Sequence, residues 1–185
     1  MDNGASSYRR FLEGDDNGIV QIVKEYKDGL MLYLNSFVQD IHIAEDLTED
    51  VFVKLIARRP RFLGKSTFKT WLYAIGRNMA LDHLRKNAKQ FSVSAEEMVL
   101  TVSEETDVAR KYIQTEQKLH VHDAMKQLRC EYRQVLYLVY FEGFQNEQAA
   151  WIMKKTKKQI ENLMYRAKLS LRSELEKGGF VYEDL

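Results

Sequence analysis

A single proline, Pro60, stands in a chain of 185 residues. Proline lacks a backbone N–H and clashes with the preceding turn, so its near absence leaves long helices uninterrupted. Apolar residues recur at helical spacing along most of the chain. Ile19, Ile22, Val23, Tyr26, Leu30, Leu34 and Val38 mark one helix after a turn at Gly14–Gly18. Ala44, Leu47, Val51 and Leu55, widened by Phe52 and Ile56, mark a second from about Asp40 to Arg59. Pro60 ends it, because the residue before a proline disfavours the helical conformation. Ser66 or Thr67 can cap a third, striped by Phe68, Leu72, Ile75 and Met79 and running to about Lys89. No convincing strand alternation appears, and the chain reads as all-α.

Residues 91–111 lose this periodicity and turn acidic and rich in Ser, Thr and Glu, as a linker would. Helices resume near Ala109, with Tyr112, Leu119, Ala124, Met125 and Leu128 on one. Tyr132, Val135, Leu136 and Val139 form the next, which Gly143 terminates. A short helix covers Asn146–Lys154. Thr156, with Gln159 three residues on, then opens a last long one as a capping box. The expected organisation is two small helical domains, 15–90 and 112–177, joined by the linker 91–111.

The net charge is +1, from 28 Lys+Arg against 27 Asp+Glu. That near-neutrality is a sum of opposed blocks. Between Ala57 and Gln90 stand nine basic residues and one acid, Asp82; between Ala150 and Arg172 stand seven basic residues and one acid, Glu161. Asp40, Glu45, Asp46, Glu49 and Asp50 form a block with no Lys or Arg. Local fields rather than the total steer association with a polyanion. Glu45/Glu49 and Asp46/Asp50 are like-charge pairs at i,i+4, each destabilising by roughly 0.2–0.5 kcal/mol in isolation. The helix dipole offsets part of that, and a basic partner would offset more.

The last two helices have helix-turn-helix spacing, in which the second helix enters the major groove. Lys158, Glu161, Asn162 and Tyr165, with Lys157 in the first turn, lie opposite its apolar face. Asn reads adenine and Glu accepts from cytosine, while Lys and a helix N-terminus suit phosphates. The helix from Thr67 to Lys89 carries Trp71 and Tyr73 among cations, a pattern suited to stacking on single-stranded bases. Tyr73 and Asn78 are expected at its rim.

No active site emerges. His42, His83, His120 and His122 are scattered, and His120, His122 and Cys130 lack a fourth ligand and the usual metal spacing. No phosphate-cradling loop or zinc-protease motif is present, so neither cofactor nor metal is expected. One cysteine excludes an intramolecular disulfide. No apolar run approaches membrane-spanning length, and the first residues lack a signal-peptide core, so a cytoplasmic protein is expected.

Three segments together resemble the extracytoplasmic-function sigma factors of bacterial RNA polymerase. Ala44-Glu45-Asp46-Leu47-Thr48-Glu49-Asp50-Val51-Phe52 is similar to the segment that docks on the polymerase β′ clamp helices. Phe68 to Asn78, followed by Ala80 to Arg85, is similar to the segment that opens and reads the −10 element. Gly143-Phe144 through Arg166-Ala167 is similar to the helix-turn-helix that reads the −35 element.

The resemblance implies a non-enzymatic initiation factor that binds core RNA polymerase through β′ clamp helices and β flap, recognises promoter DNA and stabilises its melted form. An anti-sigma factor is a further implied partner. Glu45, Asp46, Glu49, Asp50 and Lys54 would dock on polymerase. Phe62, Lys65, Ser66, Thr67, Lys69, Thr70, Trp71, Tyr73, Arg77, Asn78, His83, Arg85 and Lys86 would serve the −10 element, with the loop 62–67 helping to capture a flipped-out base. Thr156, Lys157, Lys158, Gln159, Glu161, Asn162, Tyr165 and Arg166 would face the −35 element. The chain departs from the family at Lys154, where the turn has glycine. It departs also at Glu161 and Leu163, at Ala149 and Trp151, and at Leu128-Arg129 in place of Leu-Pro. A stand-alone helix-turn-helix regulator would need no Phe68–Arg85 segment, and a helical interaction adaptor would need neither basic block.

Overall fold

A computed structural model of the chain describes residues 3–91 and 116–178. The described elements are helices, in the order α1 Asn3–Leu12, α2 Asn17–Val38, α3 Ile41–Arg58, α4 Phe68–Phe91, α5 Glu116–Lys126, α6 Cys130–Leu136, α7 Asn146–Met153 and α8 Lys157–Lys177. A single π-helical turn, Tyr137–Phe141, extends α6. No strand occurs among the described residues. Of the linker 91–111, only Phe91 is described, as the end of α4; Tyr112 also lies outside the described residues.

Helices α2, α3 and α4 follow the spacing read from the sequence. Ile22, Leu30, Leu34, Leu47, Val51, Leu55, Phe68 and Leu72 form their common core. Asp40 caps α3, its carboxylate accepting from the His42 and Ile43 N–H groups at 2.9 and 3.2 Å. Thr67 Oγ1 accepts from Thr70 N–H at 3.2 Å, so Thr67 opens α4.

Helix α1 precedes the boundary expected at residue 15. Its buried positions, Gly4, Ser7, Tyr8 and Phe11, fall at helical spacing, with Tyr8 and Phe11 supplying the apolar contacts. Its Tyr8 hydroxyl donates to the Pro60 carbonyl at 2.8 Å, which ties the N-terminus to the loop before α4. Ile56 departs in the opposite sense. Expected in the apolar stripe of α3, it is 47% exposed, because the stripe turns away from it after Leu55.

In the second half, α5, α6, α7 and α8 pack around Leu128, Leu136, Leu138, Ile152, Ile160 and Met164. The helix expected to run through Val139 changes winding after Leu136. Glu142 N–H reaches back to the Tyr137 carbonyl at 3.1 Å, and Gly143 then ends the element in the left-handed region at φ 69°. The two halves are packed together, α2 against α6 and α4 against α7.

Candidate polymerase- and DNA-binding surfaces

Three surfaces carry the residues singled out by the sequence. The first is the outer face of α3. Asp46, Glu49 and Asp50 are exposed and make no ion pair among the described residues; Glu45 and Lys54 are half-buried, and Glu45 meets Lys27 at 3.4 Å. Two apolar residues that the sequence reading did not assign to this face share it, Val53 at 57% exposure and Ile56. Val53 falls off the Ala44–Leu47–Val51–Leu55 core stripe by its spacing, whereas Ile56, expected to widen that stripe, lies on the outer face instead. An acidic face with exposed aliphatics suits a partner that is basic and partly apolar.

The second surface is the loop 59–67 with α4. Phe62 lies 5.2 Å from Trp71 and 5.7 Å from Phe68, ring centre to ring centre. Tyr8 closes this cluster from α1, 5.4 Å from Phe68 and 5.5 Å from Trp71. The Arg59 guanidinium stacks over Phe11 at 5.0 Å, within cation–π range. The loop is therefore held at its base by an aromatic platform. Its tip is open, with Leu63 and Lys65 exposed and Ser66 half-buried. Thr67 is exposed at the start of α4.

The remaining −10 candidates divide along α4. Arg85 and Lys86 are exposed; Asn78 and His83 are half-buried, His83 Nε2 lying 2.9 Å from Asn87. At about 1.5 Å per residue, Asn78 stands some 10 Å along the helix from Trp71, His83 some 18 Å, and Arg85 and Lys86 some 21–22 Å. Arg77 is buried, and its Nε has no protein partner. Thr70 is buried too. Tyr73, expected at a rim, is fully buried under Glu142 and Phe144 of the second half. Burial and the adjoining Glu142 carboxylate push its phenol well above the usual tyrosine range.

The third surface is the helix-turn-helix. Thr156 caps α8, its Oγ1 accepting from Gln159 N–H at 3.2 Å while Gln159 Oε1 accepts from Thr156 N–H at 2.8 Å. Ile160, Met164 and Ala167 face the core. Thr156, Lys157, Lys158, Gln159, Glu161, Asn162, Tyr165 and Arg166 are all exposed. Lys157 pairs with Glu147 of α7 at 2.5 Å, tying the first helix to the second. That hydrogen bond holds the Glu147 carboxyl below its ordinary value and the Lys157 ammonium above its own. The turn residue Lys154 is left-handed, at φ 54°. That conformation is one glycine adopts without steric cost, so the departure from glycine is strained here.

Among the described residues no three His, Cys, Asp or Glu side chains converge as metal ligands. No described helix is long and apolar enough to cross a membrane.

Residues 22–90 match Sigma-70 region 2, and residues 118–171 match Sigma-70 region 4. Region 2 thus spans most of α2 with α3 and α4, and region 4 spans α5 to α8. The chain belongs to the extracytoplasmic-function sigma factors. It is 26% identical over 160 residues to the ECF RNA polymerase sigma factor SigM of Bacillus subtilis, covering 86% of this chain and 96% of that one. It is 26% identical over 175 residues to the RNA polymerase sigma-H factor of Pseudomonas aeruginosa, covering 90% and 91%. Among solved structures it resembles the sigma factor RpoE of Bartonella quintana in complex with the anti-sigma factor NepR. The TM-score is 0.71 at 24% identity over 84% of this chain and 95% of that one. It also resembles CnrH in complex with the cytosolic domain of CnrY, with a TM-score of 0.66 at 20% identity over 95% and 96%. As a sigma factor it binds core RNA polymerase and promoter DNA and directs transcription initiation. Its relatives are sigma factors, which are not enzymes. Sigma factors work in the cytoplasm with the polymerase.

Proposed function

We propose that this sigma factor divides its work among the three surfaces, with the exposed side of α8 as the observation that carries the reading. All eight −35 candidates emerge from one capped helix whose opposite side is core. Lys157, Lys158 and Arg166 meet phosphates, and Glu161, Asn162 and Tyr165 are placed for base edges. Asp46, Glu49 and Asp50, with Glu45, Lys54, Val53 and Ile56, dock on the β′ clamp helices. The β flap meets the second half.

Phe62, Lys65, Ser66 and Thr67 capture a base of the melted −10 strand beside Trp71, with Asn78 nearby. Lys69, His83, Arg85 and Lys86 complete that surface, while Thr70, Tyr73 and Arg77 lie buried behind it and support it. The first domain extends from α1 through residue 90, and the second is 112–177, with 91–111 between them. The protein catalyses nothing itself, works in the cytoplasm and is restrained by an anti-sigma factor.

Run-off transcription tests this reading. Purified protein added to sigma-free core polymerase should yield specific transcripts from promoters of its own genome. Core binding without any specific transcript would refute the promoter-reading assignment, and no core binding would refute the docking one.

A further inference from the structure

The packing between the two halves places a carboxylate of region 4 inside the −10 surface of region 2. Glu142 follows the π-helical turn, and its side chain is only 12% exposed. The Tyr73 hydroxyl donates to its Oε2 at 2.6 Å. Lys69 Nζ reaches the same carboxylate at 2.9 Å and donates to the Glu142 backbone carbonyl, also at 2.9 Å. Phe144 covers what remains, its ring 5.0 Å from Tyr73 edge-on and 4.9 Å beneath Lys69 Nζ. Gly29 of α2 forms the wall. A Cβ there would meet Glu142 Oε1 and the Tyr73 hydroxyl at 2.6 Å each and Glu142 Oε2 at 2.9 Å.

An anionic oxygen thus sits on a lysine and a tyrosine in a surface built to receive a polyanion. Lys69 and Tyr73 are engaged by the chain's own carboxylate, where strand phosphates would otherwise be drawn. Around this contact the halves share a polar seam. Arg133 Nε and Cys130 Sγ both donate to the Ser36 carbonyl, at 2.8 and 3.9 Å, and Gln39 Nε2 donates to the Lys126 carbonyl at 2.8 Å. Tyr33 Oη and Gln134 Oε1, buried at the same seam, find no protein partner. Each buried polar atom left unpaired is destabilising, so this seam holds the halves less firmly than a fully satisfied one would.

We propose that Glu142 is a latch. In the free chain it seals region 4 onto region 2 and keeps Lys69 and Tyr73 from DNA until the halves separate. The proposal rests on the −10 assignment of those two residues. It requires no partner protein for this part of the restraint, because both sides of the contact belong to one chain.

Two substitutions approach the latch from opposite sides. Glu142→Ala removes the carboxylate from region 4. Gly29→Ala sets a methyl group against both the carboxylate and the Tyr73 hydroxyl that binds it, in a helix interior that alanine favours. Two readouts report the result. Cys130, the chain's one cysteine, faces Ser36 across the seam, so its alkylation rate by iodoacetamide follows opening. Anisotropy of a fluorescein-labelled random-sequence single-stranded DNA follows exposure of the −10 surface, without polymerase present.

Both variants should alkylate faster than the parent, by about tenfold or more for the loss of a charge-assisted contact, and should bind the DNA correspondingly tighter. Circular dichroism of each variant should match the parent. Unchanged alkylation in both folded variants would overturn the latch. Faster alkylation with unchanged DNA affinity would overturn the restraint on DNA. That result would fault the −10 assignment of Lys69 and Tyr73, since opening itself would have been observed.

Discussion

Three helix ends in this protein place a non-glycine residue in the left-handed region: Gln39, Arg59 and Lys154. The first two have uses for their side chains, Gln39 toward the Lys126 carbonyl and Arg59 over Phe11. Lys154 is exposed, and its side chain makes no hydrogen bond or ion pair among the described residues. Lys154→Gly should therefore relieve strain without losing a contact. The left-handed conformation costs an L-residue about 1–2 kcal/mol, and glycine's greater freedom in the unfolded chain returns roughly 0.5–1 kcal/mol of that. The expected net gain is about 0.5–1 kcal/mol, or some 1–4 °C in Tm for a chain of this size. Lys154→Ala keeps the Cβ and should stay within about 0.5 kcal/mol of the parent. Lys154→Val, whose branched Cβ tolerates positive φ worst, should be the least stable of the series. Scanning calorimetry of the full chain would rank the four proteins. A glycine variant no more stable than the alanine variant would refute the assignment of strain to this turn.

Asp46→Lys with Asp50→Lys should weaken core polymerase binding by at least about tenfold, read by anisotropy of labelled protein, because it reverses two exposed charges on the docking face. Binding of the −35 duplex should be unaltered in the same variant. Asn162→Ala should cost about 1–3 kcal/mol at one position of the −35 element and little elsewhere, which a panel of single-base duplex variants would show. Alkaline pH should unfold the aromatic platform. Burial raises the Tyr8 phenol to about 12 despite the lowering effect of Arg59, against 10.0 for a free phenol. A group raised on folding contributes its stability in full below the unfolded value and loses it as pH climbs through the folded one. The loss should fall between about pH 10 and 12, followed by tyrosinate absorbance. Tyr8→Phe should remove the part of that transition due to Tyr8.

The elements legible in the sequence were those whose information is local. Asp40, Thr67 and Thr156 mark helix starts through side chains that bond two or three residues ahead. The apolar periods of α2 and α4 and the exposed side of α8 follow equally from residues within a few turns of one another. Helix α1 was missed for a related reason. Its buried positions Gly4, Ser7, Tyr8 and Phe11 fall at helical spacing, but two of the four are Gly and Ser, so only two aromatic residues mark its apolar face. Its burial is dictated by Phe68 and Trp71, some sixty residues away.

Tyr73 is buried where every local signal favours a rim position. As a tyrosine among lysines and arginines on an amphipathic helix, it satisfies every local criterion for a rim position. What buries it is Glu142, 69 residues further on, delivered by a change of winding at Tyr137 that no propensity signals. The same long-range contact gives the segregated charge a second meaning. Basic and acidic blocks were read as surfaces for external partners, and α3 and α8 do present their charges outward. Lys69 does not, because the acid it meets lies within its own chain. Charge distribution along a sequence identifies the groups that seek opposite charge. The tertiary packing decides whether an external partner or another part of the same chain supplies it.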